Sequence, residues 1–414
     1  MRILLWHGYL LGGTGSNVYS RALAREWSRA GHEVVVVCQE RAPERFDLGG
    51  ARVVNVDLPG GVLPVFVLDR YEGLEPKLLQ DCTEAEREAF VSANASVLRD
   101  LLPADLVFCN HVLLGGPVGS ATGAPFRVKA HGSELEYSMR GRPELERWGA
   151  ETLARAEATF VGSAHIREVL EEVVGHVERV FEVPPGVDVD EFRLRPRAEA
   201  LAALVEEARR DPPNPGNAQE RLPDEGNAER LASFLAGDEQ TVVYFGKLIE
   251  QKGVQVLLEA MRGIDARLVV VGFGPYRAAL EATAPRRTLF TGPFEHRHLA
   301  QLLPLADVTV VPSIFPEAFG RVAAEAAAAG SPPLVARHSG LAEVAAGLED
   351  EYPAHLRHLA AFESGNAEDL RAKLTELLGL PGENRELLRR AARRAVVERW
   401  SWAGVARRLL EPGG

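Results

Sequence analysis

The segment 308–330, VTVVPSIFPEAFGRVAAEAAAAG, joins an apolar run through a proline-punctuated loop to a run of strong helix formers. A strand that leads through a loop into a helix is the repeating unit of parallel α/β sheets. Because Gly330 stops the helical run, we predict a helix over Arg321 to Ala329. Glu317 then lies in the loop and Glu325 lies within the helix. The segment therefore predicts one parallel α/β unit that carries two carboxylates.

The same alternation of apolar runs and helical patterns extends through both halves of the chain. Apolar runs without polar alternation are typical of parallel strands that are buried on both faces. The alternation therefore predicts two doubly wound parallel sheets, one in each half, each of the Rossmann-like type. The runs cover residues 3–6, 34–38, 52–56, 106–109, 126–130, 159–162 and 180–183 in the first half, and 242–245, 268–271, 289–291, 308–311 and 333–336 in the second.

Chain length and one proline-rich junction set the predicted domain boundaries. At 414 residues the chain exceeds what one hydrophobic core usually serves, and Pro184-Pro185-Gly186 blocks helix formation at the join. We predict a first domain at 1–184, a second domain at 185–388 and a C-terminal helical segment at 389–414. The Pro- and Asn-rich stretch within 196–240 predicts a flexible insertion, which either has no function or acts as a lid.

Composition limits the classes of partner. A net charge of −12 argues against nucleic acid and gives no attraction to anionic lipid. No apolar run approaches the roughly 20 residues of a membrane span, and the strand pattern at Arg2 leaves no room for a signal peptide. Cys38, Cys82 and Cys109 form neither a disulfide framework nor a metal-ligand spacing. We therefore predict a cytoplasmic protein that binds small molecules, with neither nucleic-acid nor integral membrane association.

The loop that precedes the predicted helix at Arg321 has the chemistry of a nucleotide-sugar site. A helix start presents unpaired N–H groups and the positive end of its dipole to a diphosphate, and Gly320 lets phosphates approach the backbone. Glu317 can bind sugar hydroxyls, while Glu325 can reach the hydroxyls of a ribose. The alternative is an alanine-rich core helix that carries one solvated glutamate.

Two of the five lysines, Lys247 and Lys252, lie within six residues of each other, directly after the predicted strand 242–245. Ligands of open parallel sheets gather at the carboxyl ends of the strands, so two ammonium groups there can neutralise phosphate charges. Gly272 follows the next strand at the same edge and can border the nucleotide. The alternatives are a pair of surface lysines and a simple turn.

The first half offers a glycine loop and a histidine at the equivalent edge. Residues 12–17, GGTGSN, lead from the first strand into a helix but match neither a dinucleotide fingerprint nor a P-loop. They can cradle a phosphate or simply form a tight turn. His131 ends the predicted strand 126–130 and can donate a hydrogen bond to a sugar hydroxyl or phosphate. A purely structural histidine remains the alternative.

No metal site is predicted. Asp188-Val189-Asp190 spells the DxD of metal-dependent sugar transferases, but it lies at the proline-rich junction, so we interpret it as a turn and helix cap. His296 and His298 have no third ligand at a suitable spacing.

Taken in chain order, these residues resemble the retaining glycosyltransferase family 4, which has the GT-B fold, across nearly the whole chain. The ordered motifs carry the resemblance. They are the glycine loop 12–15, Gly31-His32-Glu33-Val34, His131-Gly132, the turn 185–188, Gly246-Lys247-Leu248 with Lys252-Gly253, and the pair Glu317 and Glu325.

The resemblance implies that a nucleotide diphosphate sugar, as a co-substrate and without a cofactor, binds the second domain. It implies an acceptor, either a small molecule or a glycan, on the first domain, onto which the C-terminal helix crosses back. It implies His131, Lys252 and Glu317 as catalytic residues, and Ser16, Asn17 and His131 as acceptor-binding residues. The implied donor-binding residues are Gly13, Gly15, Gly246, Lys247, Lys252, Gly272, Glu317, Phe319, Gly320, Arg321, Val322 and Glu325.

The implied reaction is metal-independent hexosyl transfer with retention of anomeric configuration. UDP is the expected donor nucleotide because it is the commonest in the family, and ADP and GDP are the alternatives. Lys247 departs from the family's usual arginine, which removes a bidentate contact to the phosphate. Asn17-Val18-Tyr19 is similar to family members that act on small polyols, so a soluble acceptor is expected. Two other functions with this architecture stay open, a nucleotide-sugar epimerase and a non-catalytic module that binds nucleotide sugars.

Overall fold

The computed structural model describes residues 1–12, 15–67 and 73–412. The chain forms two compact units, of which the first comprises residues 1–186 together with the residues from Trp402 onward. The second comprises Val187–Ser401. Each unit is built on a parallel sheet, which confirms the predicted fold class of two α/β domains.

The first unit contains a seven-stranded parallel sheet of order β3-β2-β1-β6-β7-β8-β9. A separate parallel pair, β4 with β5, was not expected from the sequence. The strands are β1 Arg2–Trp6, β2 Glu33–Cys38, β3 Arg52–Asn55, β4 Val62–Val65, β5 Glu75–Leu78, β6 Leu106–Asn110, β7 Phe126–Lys129, β8 Ala158–Val161 and β9 Val180–Glu182.

Helices cover both faces of this sheet, as its unbroken apolar strands require. Along β1, Leu4 and Trp6 belong to one hydrophobic cluster, while Ile3 and Leu5 belong to another. The helices of this unit are α1 Ser16–Arg29, α2 Glu84–Leu101, α3 Gly115–Thr122, α4 Pro143–Leu153 and α5 Ala164–Val174. Residues Glu134–Met139 add a π-helical turn after β7.

The second unit contains a six-stranded parallel sheet of order β12-β11-β10-β13-β14-β15. Its strands are β10 Thr241–Phe245, β11 Arg267–Val271, β12 Thr288–Phe290, β13 Val308–Val311, β14 Pro333–Ala336 and β15 Ala361–Phe362. Its helices are α6 Arg197–Arg209, α7 Asn227–Phe234, α8 Val254–Ala260, α9 Arg277–Thr283, α10 His296–Leu302, α11 Arg321–Ala328, α12 Ser339–Glu351, α13 Ala367–Gly379 and α14 Gly382–Arg399.

The stretch 196–240 is tied to the second unit by buried contacts. Leu204 of α6 and Leu231 of α7 are fully buried in the core of this unit. In the proline-rich part between the two helices, Asp224 accepts two hydrogen bonds from Arg277, at 2.8 and 2.6 Å. Pairing of a buried carboxylate with a guanidinium anchors this segment, which the sequence pattern alone described as flexible.

The last helix, α15 Trp402–Leu410, belongs to the first unit, where it packs on α1. The Trp27 Nε1–H donates a hydrogen bond to the Ala406 carbonyl at 2.9 Å. The predicted segment boundary at residue 389 lies inside α14, which is one continuous helix of the second unit. The chain passes between the units at residues 186–187 and again at 401–402.

Candidate active site

The loop that carries Glu317, between β13 and α11, is held by the start of α12. The Glu317 N–H donates to Ser339 Oγ at 2.8 Å, and the Gly340 N–H donates to the Glu317 carbonyl at 3.0 Å. His338 Nε2 donates to the Ser313 carbonyl at 2.7 Å. Backbone hydrogen bonds on both sides therefore fix the position from which the Glu317 side chain extends.

Lys252 contacts this loop from the segment that follows β10, the strand next to β13. It lies in the short helical turn Glu250–Lys252 that follows β10, and its Nζ contacts Glu317 Oε1. The two side chains retain 31% and 22% of their accessible surface, so the ion pair is open to solvent. An accessible pair is held weakly, because water screens the attraction. A ligand with phosphate and hydroxyl groups can therefore separate the two charges and bind both.

Two glycines bring the backbone segments of this site into close contact. Gly253 has φ 68°, and a Cβ there would lie 1.8 Å from the Pro312 carbonyl oxygen. Gly320 has φ 113°, and a Cβ there would lie 2.7 Å from a methyl group of Leu341. Both the positive φ and the missing side chain are needed, so only glycine fits at either position.

Glu325 is almost fully buried on α11, with 5% of its surface exposed. Its Oε1 accepts hydrogen bonds from Arg321 Nη2 at 3.0 Å and Nε at 3.2 Å. His296 Nε2 lies 3.9 Å from the same oxygen. The Arg321 guanidinium thus donates twice to one carboxylate oxygen and orients Glu325.

The remaining predicted donor residues of the second unit occupy three different environments. Lys247 is exposed, and its carbonyl accepts a hydrogen bond from Tyr244 Oη at 2.8 Å. Phe319 is 4% exposed and packs edge-on against Trp400 at 5.6 Å, so its ring belongs to the core. Val322 is half-buried against the same core. Of these residues, Lys247 is the one that offers a charged side chain to solvent.

Tyr244 is a further neighbour of the glutamate loop. Burial raises the pKa of its hydroxyl, and the negative charge of Glu317 raises it further. The phenol therefore stays protonated at neutral pH and keeps donating to the Lys247 carbonyl.

Gly246 and Gly272 lie side by side at the carboxyl edge of the sheet. The Gly246 N–H donates to the Val271 carbonyl at 3.0 Å, and the Gly272 N–H donates to the Gly292 carbonyl at 2.9 Å. The structure thus brings the loops after β10 and β11 together with the loop after β13 at one edge. This is the arrangement expected for ligands of open parallel sheets.

In the first unit, His131 lies at the carboxyl end of β7 and is partly exposed. Its Nε2 donates to Asn110 Oδ1 at 2.7 Å, while the Asn110 amide donates to the Trp6 carbonyl at 3.2 Å. The amide oxygen can only accept, so this contact places the ring proton on Nε2. Nδ1 is then the ring nitrogen of His131 that a ligand can use.

Burial keeps His7 and His131 neutral. Burial, together with nearby His111, lowers the pKa of His7 to about 3. Burial, His111 and Lys129 lower the pKa of His131 well below its ordinary value. Burial also lowers the pKa of Lys129 to about 7. At neutral pH this edge of the sheet carries less positive charge than its sequence implies.

The glycine loop is only partly within the described residues, because Gly13 and Thr14 lie outside them. Gly15 directly precedes α1, and Ser16 is the first residue of that helix. The Asn17 amide donates to the Gly12 carbonyl, and its Oδ1 accepts from His7 Nε2 at 2.9 Å. Asn17 therefore joins the two ends of the loop after β1.

The Asp188-Val189-Asp190 segment forms a turn. Asp188 Oδ1 accepts from the N–H groups of Asp190 at 3.1 Å and Glu191 at 3.0 Å. These bonds confirm the interpretation of Asp188 as a turn and capping residue. In the part of the chain that the structure describes, no cluster of three or more His, Cys, Asp or Glu residues could hold a metal ion.

Comparison with known proteins identifies the family. A model described as "Glycosyl transferase 4-like domain" matches residues 14–186, and one described as "Glycosyl transferases group 1" matches residues 227–395. A D-inositol 3-phosphate glycosyltransferase of Xylanimonas cellulosilytica is 31% identical over 359 residues, which cover 80% of this chain and 77% of that protein. The chain belongs to glycosyltransferase family 4.

Two further proteins are similar to this chain over most of its length. A GDP-mannose-dependent alpha-(1-6)-phosphatidylinositol monomannoside mannosyltransferase of Mycobacterium tuberculosis is 27% identical over 302 residues, covering 69% of this chain and 68% of that protein. The Anabaena protein HepE, solved in complex with UDP and glucose, superposes with a TM-score of 0.67 at 16% identity, covering 99% of this chain and 98% of that protein. The glycosyltransferase thus has the GT-B fold, as the resemblance implied.

Three functional neighbourhoods of this glycosyltransferase were not identified from its sequence. His338 and Ser339 support the glutamate loop, His296 approaches Glu325, and His111 and Glu134 lie beside His131. His338 follows β14 and His111 follows β6. Both therefore lie at the carboxyl ends of strands, the position from which His131 and Lys252 were predicted as site residues. No described helix of the enzyme is both long and apolar enough to cross a membrane.

Proposed function

We propose that this glycosyltransferase transfers a hexosyl group from a UDP-sugar to a soluble polyol, with retention of anomeric configuration and without a metal ion. The observation that carries the proposal is the accessible Lys252–Glu317 contact in front of α11, with Glu325 buried on that helix. The ammonium group suits a diphosphate, and the two carboxylates suit the hydroxyl groups of a sugar and a ribose.

Charge at the diphosphate supports transfer without a divalent ion. The helix start at Arg321 presents backbone N–H groups to a phosphate. Lys252, with Lys247 as a second exposed cation, adds fixed positive charge. These groups can stabilise the leaving diphosphate as a metal would. We expect the transfer rate to be unchanged by EDTA.

The identity of the nucleotide rests on family prevalence. UDP is the proposed base, and GDP is the alternative because one relative is GDP-mannose-dependent. In either case Glu325 is proposed to bind the ribose hydroxyls. Its Oε1 is occupied by Arg321, which orients the carboxylate for a ligand on its other oxygen.

The acceptor is assigned to the first unit, beside Ser16, Asn17 and His131. A polyol is favoured because one relative is a D-inositol 3-phosphate glycosyltransferase. Neutral hydrogen-bonding groups dominate this edge, since burial lowers the pKa of both His7 and His131. A cytoplasmic location is also proposed, because Cys38, Cys82 and Cys109 are all buried, unpaired thiols.

The proposed reaction needs no enzyme nucleophile. The bond between the anomeric carbon and the diphosphate oxygen breaks, and the acceptor oxygen forms the new bond on the same face of the sugar. The acceptor proton passes to the departing diphosphate. Lys252, Glu317 and His131 then act by positioning and by stabilising charge.

Product analysis tests this function. The protein is incubated with UDP-glucose, UDP-N-acetylglucosamine or GDP-mannose together with myo-inositol or D-inositol 3-phosphate, and products are identified by mass spectrometry and NMR. We expect a glycosylated cyclitol whose anomeric configuration matches that of the donor. Release of nucleotide and an altered free sugar without acceptor would indicate an epimerase. Nucleotide-sugar binding without turnover would indicate a binding module.

A further inference from the structure

His111 is held in a strained and buried position directly after β6. Its backbone adopts φ 73°, a left-handed conformation that residues other than glycine rarely adopt. The residue is 3% exposed, and its ring lies 4.7 Å from that of His131 and 4.8 Å from that of Phe66. Backbone strain of this kind persists where the surrounding structure requires a particular side-chain position.

Glu134 fixes the proton on the His111 ring. Its fully buried carboxylate accepts from His111 Nδ1 at 3.3 Å, from the His131 N–H at 2.9 Å and from the Val112 N–H at 3.4 Å. Burial by itself raises the pKa of Glu134, but His111 and these hydrogen bonds lower it below its ordinary value. An ionised carboxylate only accepts, so His111 Nδ1 carries the ring proton.

The other ring nitrogen, Nε2, is therefore left for a different partner. Nε2 is buried and has no hydrogen-bond partner within residues 1–12, 15–67 and 73–412. Buried polar atoms in native proteins are almost always hydrogen-bonded, to protein, to water or to a ligand. The neighbouring rings of Phe66 and Tyr9 limit what can approach, with Tyr9 at 5.6 Å between ring centres.

We propose that His111 Nε2 forms a hydrogen bond with a hydroxyl group of the acceptor, and that this contact selects polyols. The inference rests on the proposed function, because it assumes a polyol acceptor in the first unit. A hydroxyl group can both donate and accept a hydrogen bond, so it suits this buried ring nitrogen.

A purely structural role for His111 is the competing explanation, and two substitutions separate the roles. In His111→Asn the amide takes the place of Nδ1, so the contact to Glu134 is kept and the group at Nε2 is lost. Asparagine also tolerates the left-handed backbone. In His111→Gln the amide takes the place of Nε2, so a hydrogen-bonding group is kept there and the contact to Glu134 is lost.

The experiment measures transfer from UDP-glucose to myo-inositol, together with UDP-glucose hydrolysis as a reaction that needs no polyol. We expect His111→Asn to lower kcat/KM for myo-inositol by about tenfold more than it lowers UDP-glucose hydrolysis. His111→Gln should retain transfer within about threefold. The reverse order of the two variants would overturn the assignment and establish a structural role.

NMR of ¹⁵N-histidine-labelled protein provides a second readout. We expect the Nε2 signal of His111 to shift when myo-inositol is added. An unchanged Nε2 signal in a protein that glycosylates myo-inositol would overturn the inference without affecting the proposed function. If the wild-type protein glycosylates no cyclitol, the proposed polyol acceptor is wrong, and the role assigned to His111 is wrong with it.

Discussion

The ammonium group of Lys252 contacts the carboxylate of Glu317, although 65 positions separate the two residues in the chain. In the absence of ligand, each charge thus satisfies the other at the place where donor is proposed to bind. Donor binding exchanges this screened contact for contacts to a diphosphate and a sugar.

Removing the Lys252 charge should strongly lower the catalytic efficiency with the nucleotide sugar. We expect Lys252→Ala to lower kcat/KM for the nucleotide sugar by about 100-fold or more, because a fixed cation at the leaving group is lost. The matched control is Lys373→Ala, since Lys373 is a lysine of the same unit that donates to the His358 carbonyl. Steady-state kinetics at saturating acceptor measure both variants. Equal activity of Lys252→Ala and Lys373→Ala would contradict the proposed site.

Glu325 should contribute to stability as well as to donor binding. Glu325→Gln leaves the Arg321 guanidinium without its charged partner, so we expect a loss of about 1–2 kcal/mol in the free energy of unfolding. We also expect a raised KM for the donor. Glu281→Gln is the control, because Arg277–Glu281 has the same i, i+4 spacing while Glu281 is 44% exposed. That change should cost less than about 0.5 kcal/mol. Urea unfolding compares the two, and equal losses would contradict the argument.

Replacing Gly253 should destabilise the protein for two reasons, because its φ is positive and because a Cβ there would overlap a neighbouring carbonyl group. In Gly253→Ala the new methyl group would overlap the Pro312 carbonyl, which separates the loops after β10 and β13. Gly263→Ala is the control, because Gly263 has φ 85° and open space around it. We expect Gly263→Ala to cost about 1 kcal/mol and Gly253→Ala about 2 kcal/mol more, with donor kcat/KM reduced in the latter alone. Similar losses in both variants would show that backbone strain dominates.

The buried Lys129 should make the free energy of unfolding depend on pH between neutral and alkaline values. Burial lowers its pKa from 10.5 to about 7, so between these values the unfolded chain binds more protons than the folded one. The free energy of unfolding of the wild type therefore rises with pH across this window. Lys129→Met lacks the effect, so its stability advantage over wild type should be largest near about pH 7 and should shrink toward about pH 10. Urea midpoints measured across the window test this. A constant difference would show that Lys129 stays charged in the folded protein.

The sequence predicted the two parallel sheets because unbroken apolar runs such as Val242–Phe245 have few alternatives to a strand buried on both faces. The glutamate pair and Lys252 were found because each follows a strand or begins a helix. These are local features, and a parallel sheet gathers them at one edge.

The contacts that complete the site were not predictable in this way. Glu134 stabilises His111 and the His131 backbone through hydrogen bonds that depend on a π-helical turn after β7. Asp224 anchors the proline-rich stretch through Arg277, which is 53 positions distant. Each of these depends on side chains that only the tertiary structure brings together.

The position of α15 in the first unit sets an order for biosynthesis. The hydrogen bond from Trp27 to Ala406 joins residues 379 positions apart, while residues 187–401 between them form a separate unit. On the ribosome, the second unit can complete its core while the first unit still lacks α15. The first unit to begin synthesis is thus the last to finish folding, and a nascent chain that ends before α15 would retain Lys252 and Glu317 in the second unit yet expose Trp27.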